Sequence, residues 1–341
     1  MRLANVIIKG RPRLAVRGDE DVVVDAALLL GRDDLDMQTV IAHSGSLLPS
    51  LRAKLARPAP EHTILDVSVD APAISSASAA ADIPAGSRRV RWLPPSPRPS
   101  KIVGVAVNNR LGARFAHRAP VEPAYFLKPP SALTGHREPI VVPAEYGLTH
   151  PEPELAAIIG TRSRDLAPDT ALDAVFGFTI INDITSPGLK DRDSMELVLP
   201  GPIGSDLGWR RRHGEDDHSV YLTYHARSKG CDTFAPMGPW LVTREEVADP
   251  NDLDIEGRLN GELVLTDSTR NLTFTIQAAL AHLSRHMTLE PGDIVHFGTA
   301  FQPAAPDRYP TIRHLDLSTI DGTFSVGISG IGRLDNPIRR S

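Results

Sequence analysis

Short apolar runs separated by polar turn residues dominate the chain from residue 101 onward. Each run is four to seven residues long and is bounded by Gly, Pro or Asp, which is typical of strands in a β-sandwich, roll or barrel. The runs that we predict as strands are 101–107, 125–128, 139–142, 155–159, 175–181, 238–242, 253–259 and 294–298. This part of the chain is therefore predicted to form a β-dominated unit.

Two local signals refine this pattern. Asn260-Gly261 separates the run 253–259 from the run 262–265, and Asn-Gly is a favoured two-residue turn of a β-hairpin. Apolar residues at helical spacing predict a helix over 275–286, and 170–174 is predicted to form a short helical turn. The unit is thus α+β, with strands in the majority.

The first third of the chain has a different pattern. Residues 1–70 are predicted to form a small mixed unit with short strands at 14–16 and 21–25, and one or two helices over 36–55 with Ser50 as a cap. The segment 71–99 is rich in Ala, Ser and Pro, which favours a linker. We therefore predict a small N-terminal α+β domain with its linker over 1–99, and a larger domain over 100–341.

Composition excludes several classes of protein. Of the 341 residues, 41% are hydrophobic and 23% are charged, as in ordinary globular proteins. The net charge of −5 and the lack of a basic, aromatic-rich face disfavour nucleic acid as a partner. A single cysteine, Cys231, excludes an internal disulfide and favours a reducing, cytoplasmic location. Because the N-terminus lacks a long apolar region and no apolar run approaches membrane-spanning length, we predict neither a signal peptide nor a membrane span.

Three carboxylates adjoin two of the predicted strands. Glu152 and Glu154 lie directly before the run 155–159, and Asp183 follows the run 175–181. Side chains two residues apart in a strand leave the same face, so Glu152 and Glu154 are predicted to point the same way. Such a pair taken alone is usually just solvated. Together with Asp183, however, these oxygen ligands suit a hard cation such as Mg²⁺, Mn²⁺ or Ca²⁺.

Several motifs, taken in order along the chain, resemble the fumarylacetoacetate hydrolase family. Any single motif is weak, but their shared order is specific. The motifs are FLKPPSAL at 126–133, EPELAAIIG at 152–160, GFTIIND at 177–183, KGCDTFAPMGP at 229–239, MTLEPGDIV with the following GT at 287–299, and GIGRLDNP at 330–337. The resemblance covers residues 101–337, most of the larger domain.

This resemblance implies a mixed β-roll or sandwich catalytic domain, a small variable N-terminal domain and usually a homodimer. It implies a divalent cation held by Glu152, Glu154 and Asp183. The implied reaction is hydrolysis of a carbon–carbon bond in a 1,3-diketone or an acylpyruvate-type 2-oxo acid through an enolate that the metal stabilises. The alternative is isomerisation or decarboxylation of a 2-oxo acid or diacid in aromatic-compound catabolism. The partner is then a small molecule, with no nucleic acid or membrane involved.

The resemblance also suggests roles for individual residues. Lys229 corresponds to the family's lysine near the metal and would act in catalysis. Lys128, at the end of a predicted strand, would bind a substrate carboxylate, and Thr299 would donate a hydrogen bond to a substrate oxygen. His150, two residues before Glu152, is a candidate catalytic residue. Taken alone, each lysine would be a surface cation and His150 an ordinary structural histidine.

The chain departs from the family pattern where water is activated. Hydrolase and decarboxylase members share a Gly-x-Asn-Tyr-x-x-His motif after the first strand of the catalytic domain. Here Asn109 replaces the tyrosine and Gly112 the histidine, and His117 lies out of register. Arg110, in the same stretch, is a further candidate for substrate binding. The segment 185–188 and Ala300 differ from the usual pattern as well.

These departures leave three hypotheses open. In the first, a hydrolase uses another histidine as its base, with His117, His150, His213 and His218 as the candidates. In the second, the reaction needs no activated water, as in isomerisation or decarboxylation. In the third, the protein is a non-catalytic binder that uses a metal to hold a carboxylate ligand.

Overall fold

Two large β-sheets form the framework of the protein. The computed structural model describes residues 1–8, 10–18, 22–65, 90–114, 120–198 and 219–340. The strands within these ranges are β1 Arg2–Ile8, β2 Arg11–Arg17, β3 Val23–Asp25, β4 Arg91–Leu93, β5 Ile102–Ala106, β6 Ala124–Lys128, β7 Leu133–Thr134, β8 Ile140–Val141, β9 Pro153–Ile159, β10 Val175–Asn182, β11 Ser194–Val198, β12 Ser219–Thr223, β13 Ala235–Pro236, β14 Leu241–Thr243, β15 Asp254–Leu259, β16 Glu262–Ser268, β17 Ile294–Thr299, β18 Gln302–Pro303, β19 Gly322–Ile328 and β20 Gly332–Arg339.

Helices are short and lie between the strands. The α-helices of the described ranges are α1 Ala26–Leu30, α2 Met37–Ala42, α3 Ser44–Leu55, α4 Arg110–Ala113, α5 Pro187–Arg192, α6 Ala226–Gly230 and α7 Ile276–His286. Short 3₁₀ segments include Pro130–Ala132, Ala171–Ala174 and Thr269–Asn271. Among the described residues, none of the helices has the length and apolar character needed to cross a membrane.

The larger sheet contains the strands that position the predicted acids. Its described strands run in the order β3-β2-β1-β14-β10-β9-β17-β5-β6, with β4 paired to β1. Every residue of β9 and β10 is buried, because both faces of these central strands are covered, which explains their nearly continuous apolar sequence. The second large sheet has the order β18-β16-β15-β19-β20-β8.

The strand-rich α+β fold confirms the fold class predicted from the sequence. The hairpin between β15 and β16 turns at Asn260 and Gly261, whose φ angles of 51° and 86° are those that an Asn-Gly turn requires. The predicted helix over 275–286 corresponds to α7. Ser50, however, does not cap a helix: it lies inside α3, and its hydroxyl donates to the carbonyl of Ser46.

The N-terminal strands belong to the same sheet as the later strands. β1 pairs with β14 in antiparallel fashion, with Leu3 opposite Leu241. The helices α1 to α3 follow β3, and the side chain of Asp36 caps α2 by accepting from the Thr39 amide. Most of the predicted linker lies outside the described residues, and the division of the chain at residue 99 stays a prediction.

Candidate metal centre

The antiparallel pairing of β9 with β10 brings three carboxylates to one end of these strands. Glu154 lies opposite Ile181 of β10, and the Asp183 amide donates to the carbonyl of Glu152 over 2.8 Å. We call Glu152, Glu154 and Asp183 the carboxylate cluster. Glu154 and Asp183 are buried, whereas the Glu152 side chain keeps 17% of its surface exposed. Two neighbouring strand ends therefore collect three acids at one place.

Two buried lysines neutralise much of this negative charge. Lys229 of α6 donates through Nζ to Asp183 Oδ2 at 2.6 Å, to Glu152 Oε2 at 3.1 Å and to the hydroxyl of Thr185 at 2.6 Å. Lys128, the last residue of β6, donates to Asp183 Oδ1 at 2.5 Å. Both oxygens of Asp183 thus receive a hydrogen bond from an ammonium group.

Burial and charge compete in setting the protonation of these groups. Burial alone would raise the pKa of Asp183, but Lys128 and Lys229 outweigh it and hold that pKa below its ordinary value. Burial alone would likewise lower the pKa of Lys229, yet Asp183 and Glu152 raise it above the usual range. For Lys128 burial prevails and lowers the pKa, against the opposing charge of Asp183. Asp183 is therefore held ionised, and Lys229 is held protonated.

A histidine that the sequence analysis missed completes the centre. His296 of β17 is fully buried, and its Nδ1 lies 2.6 Å from Glu154 Oε2. Ligand atoms of Glu154, Asp183 and His296 all lie within 4.8 Å of one another. Burial raises the pKa of Glu154, and His296 opposes that shift. The signal in the sequence was a single ionisable residue inside the apolar run 294–298.

The site geometry agrees with the relationship to known proteins. The model of the fumarylacetoacetate (FAA) hydrolase C-terminal domain matches residues 101–339. The chain belongs to this family. An uncharacterized protein of Pyrococcus abyssi is 34% identical over 242 residues, which span 71% of this chain and 91% of that relative.

Two solved structures extend the comparison. Maleylpyruvate hydrolase from Sphingobium sp. SYK-6, in complex with manganese(II) and pyruvate, is 26% identical with a TM-score of 0.68 and full coverage of both chains. The 2-hydroxyhepta-2,4-diene-1,7-dioate isomerase from Mycobacterium marinum is 30% identical with a TM-score of 0.54, over 74% of this chain and 79% of that one. The fumarylacetoacetate hydrolase family fold is thus shared by proteins named for hydrolysis and for isomerisation.

The residues present fit the divalent cation that the family implies. The donor set consists of carboxylate oxygens with one imidazole beside them, and hard oxygen ligands of this kind suit Mg²⁺, Mn²⁺ and related ions. The Lys229 ammonium bridges Glu152 and Asp183, which shows that this position already attracts positive charge.

The loop at 107–112 lies beside the carboxylate cluster but is built differently. Asn109 caps α4 by accepting from the Leu111 amide at 2.9 Å. Its Nδ2 donates to Asp267 Oδ2 at 3.0 Å and to the carbonyl of Thr299 at 3.1 Å. Arg110, which begins α4, is exposed to solvent. Side-chain hydrogen bonds thus fasten the loop to the end of β17.

The other predicted site residues occupy distinct positions. Thr299 is half-buried and lies opposite Glu154 in the β9–β17 pair. His150 pairs through its backbone with Thr185, and its Nδ1 lies 3.7 Å from Glu152 Oε1, beyond hydrogen-bond distance. Burial lowers the pKa of His150. The remaining candidate bases, His117, His213 and His218, lie outside the described residues.

Proposed function

We propose that this protein is a divalent-metal-dependent hydrolase that cleaves a carbon–carbon bond in a 1,3-diketone or an acylpyruvate-type 2-oxo acid. The observation that carries the proposal is the convergence of the carboxylate cluster with two buried lysines. A surface Glu-x-Glu pair would have no reason to keep Lys128 and Lys229 buried beside it, because burying ammonium groups is unfavourable unless they are paired. The catalytic lysine and the metal-binding role of the three acids are part of this proposal.

The formal charge of the site favours an anionic ligand. With the carboxylate cluster ionised and both lysines protonated, these five side chains carry a net charge of −1. A divalent cation changes this to +1, and a ligand that carries one carboxylate then brings the site to neutrality. A 2-oxo acid supplies that single charge and two oxygens in a chelating arrangement, so it matches both charge and geometry.

The side chains around the cation have separable tasks. A bound divalent ion supplies Lewis acidity, which stabilises negative charge that develops on a two-oxygen ligand. Lys229 is held protonated, so it is not the base; its three N–H groups are directed to Glu152, Asp183 and Thr185, and it stabilises negative charge on a ligand through its own positive charge. Lys128 fixes the Asp183 carboxylate by donating to Oδ1. Thr299 is half-buried beside Glu154, and its hydroxyl, which donates to the carbonyl of Ala300 at 3.0 Å, would turn from that carbonyl to a ligand oxygen.

The related structure of a maleylpyruvate hydrolase supports the choice of ligand. That crystal contains manganese(II) together with pyruvate, itself a 2-oxo acid. For the present chain we propose Mn²⁺ or Mg²⁺ as the working ion, with Ca²⁺ also accepted by the same oxygens. The homodimer and the cytoplasmic location stay predictions.

Isomerisation or decarboxylation is the second candidate function. Within this candidate, isomerisation is favoured by Gly112, which stands where hydrolase and decarboxylase members carry a histidine, so the loop supplies no base at that position. The 30% identical relative from Mycobacterium marinum is named as an isomerase of a dienedioate. In this case proton transfer or loss of CO₂ would replace attack by water at the same centre.

A metal-dependence assay tests the proposal. The full chain is stripped with EDTA, reloaded with Mn²⁺ or Mg²⁺, and mixed with acylpyruvates while the enol absorbance is followed. We expect turnover only with metal, and loss of at least 90% of it in Glu152→Gln. Glu145→Gln, at an exposed carboxylate, is the matched control and should keep full activity.

The reaction type is decided by isotope tracing. In H₂¹⁸O, hydrolysis places solvent oxygen in the product acid, whereas isomerisation does not require it. Failure of the metal-loaded protein to convert any diketone or 2-oxo acid would contradict the proposal. Turnover that persists equally in EDTA would contradict the role of the metal.

A further inference from the structure

His296 occupies a position that the neighbouring strands keep open for it. It pairs with Ala156 of β9 on one side and with Gly104 of β5 on the other. A Cβ added at Gly104 would overlap Phe126 Cζ and lie 2.6 Å from His296 Cε1, so a larger residue there would displace both the phenyl ring and the imidazole. The Phe126 ring packs edge-on against it, with the ring centroids 5.4 Å apart. The imidazole is therefore fixed in orientation by packing.

This fixed imidazole acts on one oxygen of Glu154. Its Nδ1 lies 2.6 Å from Oε2, and the Gly298 amide donates to the same oxygen at 2.8 Å. A carboxylate that binds a metal is ionised and only accepts hydrogen bonds, so with Glu154 in that role Nδ1 carries the proton. Nε2 is buried and has no hydrogen-bond partner among the described residues. Within the part of the chain that the structure describes, no hydrogen bond reaches Oε1 of Glu154. One oxygen is thus held by the protein, and the other keeps its lone pairs for a cation.

We propose that His296 is a positioning residue of the metal centre, which holds Glu154 through Nδ1–H in the orientation where Oε1 faces the ion. The inference rests on the metal centre under the proposed function and adds a residue to it. Hydrogen-bond partners of metal ligands fix ligand orientation, and their removal typically weakens metal affinity about 10- to 100-fold. The same loss is expected here when His296 is truncated.

The test measures Mn²⁺ affinity and not activity. The full chain is freed of metal with EDTA, and free Mn²⁺ is followed by electron paramagnetic resonance during titration. We expect His296→Ala to weaken binding about 10- to 100-fold. His296→Asn places an amide N–H near the position of Nδ1 and should restore most of the affinity, whereas His296→Gln, whose amide reaches the Nε2 position, should not.

A matched control uses a histidine outside the centre. His282 of α7 contacts the hydroxyl of Tyr125 at 2.9 Å, and His282→Asn should bind Mn²⁺ as the unsubstituted protein does. If the Ala variant does not fold, the inference is tested by comparing the Mn²⁺ affinities of the Asn and Gln variants. Equal Mn²⁺ affinity of these two variants would overturn the inference.

A second readout separates positioning from direct coordination. With ¹⁵N-labelled histidine, pulsed electron paramagnetic resonance of bound Mn²⁺ should show no directly bonded nitrogen from His296. A strong coupling that disappears in His296→Asn would overturn positioning and make His296 a ligand. Failure of the unsubstituted protein to bind Mn²⁺ would overturn the proposed function together with this inference, whereas equal affinity in His296→Ala would overturn the inference alone.

Discussion

The carboxylate cluster and the 107–112 loop are neighbours held in place by different forces. Asp183 in the cluster is fully buried and is matched by two ammonium groups at hydrogen-bond distance. The loop is held by hydrogen bonds that the Asn109 amide donates to the Asp267 carboxylate and to the carbonyl of Thr299, next to the exposed Arg110 and Val107. Charge is thus concentrated at the cluster, and the loop has room to vary. This contrast fits a family whose fold is shared by proteins named for hydrolysis and for isomerisation.

The two regions meet at Thr299. Thr299 lies opposite Glu154 in the sheet, and its carbonyl accepts from Asn109 of the loop. Val107 has a φ of 54°, which is unfavourable for a β-branched side chain and marks where the chain leaves β5 for the loop. Under the proposed function, we therefore expect a change in the loop to alter how substrate is bound while the carboxylate cluster stays intact.

Asp183→Asn should have the largest effect, and it tests whether the carboxylate cluster is held together by its buried charges. It leaves two buried ammonium groups without their shared partner, which lowers the free energy of unfolding by about 3–5 kcal/mol. Mn²⁺ binding should be lost as well. Urea denaturation measures the first effect and metal titration the second.

The control for this change is a double variant. Asp183→Asn with Lys128→Met removes the uncompensated charge at Lys128, so it should recover part of the stability but none of the metal binding. An Asp183→Asn protein as stable as the unsubstituted chain would show that the lysines are not held by this carboxylate.

Gly112→His should have the next largest effect and tests the loop. A Cβ added at Gly112 meets no atom nearer than 3.8 Å, from Phe301, so the substitution is compatible with the fold. If water attack limits the rate, a restored general base should raise hydrolysis of an acylpyruvate about 100-fold. The enol absorbance assay, with and without H₂¹⁸O, measures this change.

Gly112→Asn is the matched control, because it fills the same space without supplying a base. An equal gain in both variants would assign the effect to packing. A lower hydrolytic rate in Gly112→His, with isomerisation unchanged, would instead favour the second candidate function.

The carboxylate cluster could be predicted from the sequence because its acids lie in or next to regular strands. Period-two spacing placed Glu152 and Glu154 together, and the apolar run before Asp183 marked the end of a strand. The pairing of β9 with β10 then brings the Glu152 and Glu154 pair to Asp183, so that two separate segments of the sequence form one site. Strand boundaries differed by only one or two residues from those predicted for these runs.

The role of His296 and the pairing of Lys128 with Asp183 could not be predicted in this way. His296 meets Glu154 across a strand pair that joins positions 142 residues apart, and only the register of β17 against β9 decides the contact. Lys128 was placed correctly at the end of a strand, but lysines are usually exposed, and nothing local predicts that this one is buried on Asp183. The loop is still less predictable, because its contacts reach Asp267 and Thr299.

Substitutions at Asn109 should have the smallest effect, and they divide the loop's anchoring into two parts. Asn109→Ser keeps a side-chain oxygen for the cap of α4 but loses the donations to Asp267 and Thr299, whereas Asn109→Ala loses both. We expect each variant to lower the free energy of unfolding by about 1–2 kcal/mol. The Ala variant should be less stable than the Ser variant by about 0.5–1 kcal/mol.

Hydrogen exchange locates these losses within the loop. The amides of Leu111 and Gly112 should exchange faster in Asn109→Ala than in Asn109→Ser, because only the Ala variant lacks an acceptor for them. Mn²⁺ affinity should stay unchanged in both variants, since Asn109 donates to Asp267 and to the carbonyl of Thr299 but to none of the three acids of the carboxylate cluster. If Mn²⁺ affinity fell together with stability in these variants, the loop and the cluster would form one cooperative unit. The two regions would then not be independent of each other.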